Sequence, residues 1–507
     1  MNISLVGYIL GILLKIEAAL MVFPCLVSLI YQEPQGGAFL VCALLCLLLG
    51  LLLGLFKPAQ KVFYAKEGLA TVSCSWILMS LLGALPFYLS GDIPSYLDAL
   101  FEITSGFTTT GASILSDVES LSHASLFWRS FSHWIGGMGI LVFMLSLLPA
   151  ISGSSFQLMR AESPGPSVGK LAPRLRTTAL YLYGIYLGMT LLLVLLLLCG
   201  GLSLFDALTL SFGTAGTGGF GVLNSSFASY SSYIKIVTGI FMLLFSLNFN
   251  LYYLFLMRKI GLCLKSEELR WFLCIVGISV LLITVNIHPL YGSWGRAAEE
   301  AFFQVSSIIS TTGFSTADFN LWPVASKNIL VLLMFIGACA GSTGGGLKVS
   351  RIIILWKAIR QEFRAHLHPH SVNTLTIEGR GLSPEVIHRT LVYLAVYALL
   401  FVLSLLLLSF DNLSWDSAFT GVAACINNIG PGLGSVGPAA NYGFLSPLSK
   451  LVLIFDMLAG RLELYPMLIL LLPGVWKGSR RYLARPRLKK NKPAAEIAAR
   501  QLKGRAL

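Results

Sequence analysis

The chain has 507 residues, 56% of them hydrophobic and 12% charged, with a mean hydropathy of +0.78. A charged share about half that of soluble proteins leaves too little polar sequence to coat two or three soluble domains, which excludes most soluble enzymes and nucleic-acid binders. The 36 Lys and Arg against 23 Asp and Glu give a formal charge of +13, so where the bases sit matters more than their sum.

In chain order, ten apolar runs reach the roughly 20 residues that a helix needs to cross the hydrocarbon core. They lie near 3–30, 38–56, 68–90, 125–150, 177–200, 233–257, 270–289, 327–358, 386–410 and 447–473. They predict an all-α polytopic membrane protein. The first run is too long for the apolar core of a cleavable signal and reads as a membrane helix. Lys15 and Glu17 within it read as interfacial or snorkelling. The nine cysteines fall mostly in apolar runs without a CxxC pair, and read as small buried hydrophobes.

The bases sort by connection. Segments 57–66, 160–176, 258–270 and 348–389 and the tail from Lys477 hold 29 of the 36, all on alternate sides of the ten runs. The positive-inside rule puts that side, and both termini, in the cytoplasm. The other side carries about twelve acids against five bases, a balance that concentrates cations.

Four outward connections share a pattern. Stretches 96–113, 204–221, 298–316 and 414–434 each carry an acid expected to open a short helix: Asp98, Asp206, Glu300 and Asp416. A glycine follows 13, 13, 13 and 14 residues later, at Gly111, Gly219, Gly313 and Gly430, so the fourth stretch reads one residue out of register. The next helix is expected to open with a base: Arg129, Lys235, Lys327 or Lys450. The predicted fold has ten transmembrane helices, eight of them in four parallel helix–pore loop–helix repeats around a pseudo-fourfold pore. Two extra helices (1–57) precede repeats at 58–160, 161–265, 266–375 and 376–476, and a basic cytoplasmic tail (477–507) follows.

Non-helical backbone at membrane depth is tolerated only where protein or water satisfies it. Four such loops around an axis would form a ring of carbonyl oxygens able to replace the hydration shell of a monovalent cation. The predicted ligands are the carbonyls of Thr110, Gly111, Gly218, Gly219, Thr312, Gly313, Ile429 and Gly430 and their neighbours, with glycine permitting the backbone angles. Thr109, Thr110, Thr217, Thr311 and Thr312 can tuck behind the loops and hydrogen-bond them; Asn428 is counted with the filter positions of the fourth loop. One such loop would pass for an ordinary turn; four in near register do not.

These motifs resemble the membrane subunit of the bacterial Trk/Ktr potassium-uptake systems, of the TrkH type, within a superfamily that includes fungal Trk and plant HKT transporters. The matching stretches are 108–113, 217–221, 310–316, 425–434, 134–140, 341–349 and 460–466, so the resemblance spans essentially the whole chain. It implies a selectivity filter for K+ as the transported substrate, no enzymatic activity and no bound cofactor. It also implies a homodimer in the inner (plasma) membrane and a cytosolic ring of TrkA-like nucleotide-binding subunits docking at 160–176 and 348–389. Gly221 stands where serine is usual, and Asn427, Asn428 and Ile429 precede the fourth glycine, so the ring is not chemically symmetric.

Two features read as a gate. The eighth run is broken at Gly341, Gly344, Gly345 and Gly346, which the resemblance makes an intramembrane loop obstructing the pore. A glycine kink for close packing is the alternative. Arg461 lies inside the last run, and an intramembrane charge is a functional hypothesis by default. The resemblance makes it an electrostatic barrier; an ion pair with Asp456 or Glu463 is the structural alternative. Lys348 is a further gate candidate, or simply the start of the cytoplasmic flank. His366, His368 and His370 alternate as zinc ligands can, but with no Cys or acid standing close they read as a solvated loop or a partner-facing surface. No P-loop or dinucleotide fingerprint occurs, so nucleotide control would come from a partner, and nucleic acid is not expected. The leading expectation is K+ uptake driven by the membrane potential, about 2.3 kcal/mol per charge per 100 mV. A symporter coupled to H+ or Na+ is the alternative; a membrane-embedded enzyme lacks any nucleophile–base or metal set.

Overall fold

The structure, a computed structural model, describes residues 3–55, 65–139, 175–368, 375–378 and 380–476. Most of the basic segments 57–66 and 160–176, the fourth apolar run beyond Gly139, His370 and the tail from Lys477 lie outside the described residues.

The chain opens with α1 (Ile3–Leu20), α2 (Val22–Tyr31) and α3 (Gly36–Gly54). Small residues let α1 and α3 approach closely: a Cβ on Gly11 would come 2.9 Å from the Gly50 carbonyl oxygen. Lys15 lies along Gly50 and Gly54 of α3. Glu17 is not interfacial, contrary to expectation. It is fully buried beside Gly83, and among the described residues neither carboxyl oxygen has a hydrogen-bond partner.

Four units follow. The first comprises α4 (Ala65–Gly83), α5 (Leu85–Ser90), the short α6 (Tyr96–Phe107) and α7 (His123–Gly137). The second comprises α8 (Leu175–Cys199), the short α9 (Leu204–Gly216), α10 (Ser232–Phe245), α11 (Phe249–Leu256) and α12 (Ile260–Leu264). The third comprises α13 (Glu267–Tyr291), the short α14 (Trp294–Ile309), α15 (Val324–Ile336) and α16 (Val349–Leu367). A two-residue ladder of β1 (Thr376–Ile377) with β2 (Arg380–Gly381) leads to the fourth. That unit comprises α17 (Pro384–Leu408), the short α18 (Trp415–Ile426), α19 (Pro447–Arg461), α20 (Tyr465–Leu470) and α21 (Pro473–Trp476).

Six described helices are long and apolar enough to cross a membrane. They are the two N-terminal spans and the first helix of each unit. Leu48, Leu191, Leu281 and Leu399 on them are at least half exposed, as side chains facing lipid would be. The helices that follow the loops differ from the expected straight spans. They stop after 15, 14, 13 and 15 residues, short of the roughly 20 that a crossing needs. The helix pair α10 and α11 bends by 93°. After α15 comes the glycine-rich break, and after α19 Glu463 and Leu464 both take positive φ. The break expected only in the eighth run therefore has counterparts in the sixth and tenth.

The register also differs. Ser95, Ser203 and Ser414 cap the short helices of units 1, 2 and 4, each 16 residues before its loop glycine. The fourth loop is thus in step with the others, and Asp416 merely sits one residue nearer its cap than Asp98 and Asp206. In unit 3 the helix begins earlier, at Trp294, so Glu300 does not open it but lies buried in its second turn. Arg129 likewise sits mid-helix in α7, not at its start.

All nine cysteines are free; Cys42, Cys46, Cys263, Cys339 and Cys425 are buried, whereas Cys199 and Cys274 are exposed. Buried apolar side chains form three clusters. One joins the N-terminal helices to units 1 and 4, one is centred on unit 3 and one is centred on unit 2. The core is thus distributed around the four short helices, whose ends converge.

Candidate functional site

Each short helix ends in the same backbone motif. The N–H groups of Thr110, Gly218, Thr312 and Ile429 reach back five residues to the carbonyls of Ser105, Gly213, Ser307 and Ala424, at 2.8–2.9 Å. The preceding Thr109, Thr217, Thr311 and Asn428 donate to the residue three back at 3.1–3.2 Å. This is a Schellman termination, with a non-glycine residue at φ +55°, +55°, +61° and +55°. Such residues rarely adopt that conformation, and the same exception occurs four times. The loop glycines follow at φ +81°, +86°, +87° and +95°. Alternating the hand of successive residues turns successive carbonyls to one side of the chain.

The four loops close on one another. A Cβ on Gly111 would overlap the carbonyl oxygen of Gly218, one on Gly219 that of Thr312, one on Gly313 that of Ile429 and one on Gly430 that of Thr110, all under 3.0 Å. The order runs from unit 1 to 2, 3, 4 and back to 1, so the loops form a ring. Only glycine meets both the positive φ and the close approach. All four glycines line one cavity of about 230 Å³ on their side of the ring, with Arg129 and Asn224 on its wall.

Three residues from each loop contribute twelve main-chain carbonyls: those of 109–111, 217–219, 311–313 and 428–430. Among the described residues, eleven of the twelve accept no hydrogen bond; the Gly430 carbonyl accepts one from Tyr442 Oη at 2.7 Å. Most of these residues are buried. The C-terminal, electronegative ends of α6, α9, α14 and α18 abut the same ring.

The scaffold behind the ring is polar. Thr110 Oγ1 lies 2.8 Å from Thr108 Oγ1 and accepts from Asn428 Nδ2 at 3.0 Å, tying loop 4 to loop 1. Thr312 Oγ1 pairs with Ser310 Oγ at 2.7 Å. Thr217 Oγ1 donates to Gly216 O at 2.6 Å, whereas Thr109 Oγ1 is buried without a partner among the described residues. Glu102 accepts from Ser113 Oγ and the Ile114 N–H and pairs with buried Arg129 at 2.8 Å. Gln304 and Thr420, four residues beyond Glu300 and Asp416 as Glu102 is beyond Asp98, also hold the chain after their loops, at Thr316 and Leu433. Lys450 pairs with Asp98 at 2.5 Å and Lys235 with Glu300 at 3.7 Å, so two ion pairs among the expected acids and bases link neighbouring units.

His133 is a site residue that pattern reading missed. Its Nδ1 lies 2.8 Å from Gly106 O and its Nε2 accepts from the Phe220 N–H at 3.3 Å. Its ring packs where a side chain on Gly218 would stand. Glu102 could have been found from its place one turn after Asp98; His133 and Tyr442 carry no local signal.

The glycine-rich break lies against the other side of the ring. The Gly345 N–H donates to Thr311 Oγ1 at 2.6 Å, and a Cβ on Gly345 would meet the Asn427 carbonyl at 2.5 Å. A Cβ on Gly344 would lie 2.8 Å from Ser310 O. The Gly341 carbonyl accepts from the Phe249 N–H at 3.0 Å, Cys339 N donates to Ser246 O at 3.0 Å, and Thr343 Oγ1 donates to Phe245 O at 3.1 Å. The elbow between α10 and α11 therefore cradles the break. Gly346, at φ +77°, packs against Gly337. Glu268 accepts from the Ala340 N–H at 2.8 Å.

Arg461 spans this region. Its guanidinium donates to Thr343 O at 2.6 Å and to Gly137 O at 2.7 Å, and also to Gly136 O. The acids expected as its structural partners are engaged elsewhere. Glu463 pairs with Arg351, which lies 3.9 Å over the Tyr393 ring, and Asp456 accepts from Ser404 Oγ at 2.8 Å. Lys348 does not begin a solvated flank: it is 2% exposed and donates to Gly344 O within the break. His366 stands exposed beside Glu362, an acid one turn earlier, and among the described residues no three His, Cys, Asp or Glu could hold a metal ion.

Apolar membrane-length helices around a ring of buried main-chain acceptors define a helical membrane transport protein. Family comparison narrows the class. Residues 38–474 match the TrkH model, described as a cation transport protein. The Trk system potassium uptake protein TrkH of Escherichia coli (strain K12) is 36% identical over 487 residues, covering 94% of this chain and all of that one. TrkG of the same organism is 31% identical over 487 residues, covering 94% of this chain and 99% of TrkG. The crystal structure of the potassium transporter TrkH from Vibrio parahaemolyticus superposes with a TM-score of 0.84 at 34% identity, covering 94% of this chain and all of that chain. The chain belongs to the TrkH family of cation transport proteins, a family of transporters and not of enzymes.

Proposed function

We propose that this chain takes up potassium through the ring of four loops. The observation that carries the reading is the set of carbonyls, most of them on buried residues, that have no donor among the described residues. A buried acceptor without a partner costs free energy, and at membrane depth such backbone is tolerated where it lines a pathway. A monovalent cation shedding its water fits this set, because carbonyls can replace its hydration shell. Relatives named for potassium uptake make K+ the cation.

On this reading Thr109, Thr110, Gly111, Thr217, Gly218, Gly219, Thr311, Thr312, Gly313, Asn428, Ile429 and Gly430 form a selectivity filter. Gly341, Gly344, Gly345, Gly346, Lys348 and Arg461 restrain flow on its other side. Arg461 fastens the break at Thr343 to the end of α7, and two cationic side chains there oppose a passing cation. The reading extends to ten crossings in four parallel repeats with the boundaries given above. It also includes the inner membrane with both termini cytoplasmic, a homodimer, and a TrkA-like nucleotide-binding subunit on the cytoplasmic connections.

Rubidium uptake by liposomes containing the purified chain tests this. Uptake competed by K+ is expected; no alkali-cation flux with or without a nucleotide-binding partner would overturn the reading. Gly313→Ala places a methyl group on the Ile429 carbonyl and is expected to lower uptake at normal expression by about tenfold or more.

A further inference from the structure

We propose that Tyr442 is a positioning residue that sets cation discrimination at the fourth loop; this rests on the filter reading above. Of the twelve ring carbonyls, that of Gly430 alone accepts a hydrogen bond among the described residues, from Tyr442 Oη at 2.7 Å. Among the described residues, the carbonyls of Gly111, Gly219 and Gly313 accept no hydrogen bond at the corresponding level. Among the described residues, the outermost level of the ring therefore has three oxygens without a donor and one shared.

The tyrosine is held from several directions. Tyr442 is 2% exposed. Its ring lies 5.7 Å from that of Phe101 on the short helix of unit 1. Its N–H donates to Ser113 O at 2.8 Å, two residues beyond the first loop glycine. Tyr442 is thus anchored to unit 1 while its oxygen restrains a carbonyl of unit 4. The Gly430 loop, with the largest φ of the four glycines at +95°, is the one so restrained.

Two physical accounts of selectivity agree on the consequence. If cavity size decides, an anchored donor resists inward movement of the Gly430 carbonyl around a smaller ion. If ligand field strength decides, a carbonyl that shares its electron density with a hydroxyl is a weaker ligand, which disfavours the smaller and more strongly hydrated ion. Both make the Tyr442 hydroxyl a discriminator against Na+ relative to K+ or Rb+.

Tyr442→Phe removes the hydroxyl while keeping the ring and the main-chain bond to Ser113. The measurement is the concentration of Na+ that half-competes Rb+ uptake in liposomes, set against the KM for Rb+. In Tyr442→Phe, Na+ is expected to compete about three- to tenfold better relative to Rb+, the scale of one hydrogen bond. Phe101→Leu loosens the ring contact, leaves the hydroxyl and is expected to shift the ratio much less than Tyr442→Phe does. An unchanged ratio in Tyr442→Phe, or an equal shift in Phe101→Leu, would overturn the proposal. So would failure of Tyr442→Phe to reach the membrane, because the hydroxyl would then serve folding. Absence of Rb+ uptake in the unsubstituted protein would instead defeat the filter reading itself.

Discussion

Arg461 shows how one side chain can join elements far apart in the chain. Its guanidinium takes carbonyls from the break after α15 and from the end of α7. Arg461→Ala removes both attachments and one positive charge, and is expected to raise basal Rb+ flux; unchanged flux at normal expression would count against a restraining role. Glu33 does similar work at the start of α7. Burial raises its carboxyl, but the N–H groups of His123 and Ala124 and the His123 imidazole outweigh this and leave it below its ordinary value of 4.5. A depressed carboxyl gives stability that is full above its ordinary value and is lost as the pH falls through the depressed one. Melting in detergent is therefore expected to show an extra acid destabilisation below pH 4.5 that Glu33→Gln abolishes. At neutral pH that substitution is expected to cost about 1 kcal/mol.

Among the elements, the short helices carry the burden of positioning. Serine caps set their starts in units 1, 2 and 4, and the Schellman ends set the loops. Glu102 on α6 binds both the chain beyond its own loop and Arg129 of α7. Breaking such a buried pair leaves an uncompensated charge, so Arg129→Met is expected to cost about 3–5 kcal/mol of stability. The double variant Glu102→Gln/Arg129→Met is expected to recover part of it, which a double-mutant cycle on thermal melting would measure. Much of this level was legible in sequence: the four acid-to-glycine spacings located the loops, and the glycine run located the break. The apparent slip of the fourth stretch arose because the acid marks only a neighbourhood within the first turn, whereas the serine cap fixes the helix start. The breaks after α10 and α19 went unread because α10 and α11 are continuous in apolar composition. There, Asn248 caps α11 and tertiary hydrogen bonds to the glycine-rich break hold the elbow.

For the molecule as a whole, the driving force distinguishes mechanisms. Flow through the ring alone is expected to give a K+ current reversing at the K+ equilibrium potential. A reversal potential that tracks pH or Na+ would favour a coupled symporter. The asymmetry of the four units bears on this scale too, since each loop has a different set of supports: Thr108, His133, Ser310 and Tyr442.

The amino-acid sequence by itself determined the membrane class, the fourfold recurrence, the loop residues and the family, because these are carried by composition, period and spacing along one chain. Only the tertiary structure decided that the loops close in cyclic order, that Arg461 binds carbonyls, and that Glu17 is buried. It alone singled out Gly430 as the ring carbonyl with a donor among the described residues. Each of these is a meeting of groups distant in sequence, as Arg461 is from Gly137 and Asn428 from Thr110. Spacing along a chain carries no information about which distant backbone will fill a given gap; packing of the units against one another does.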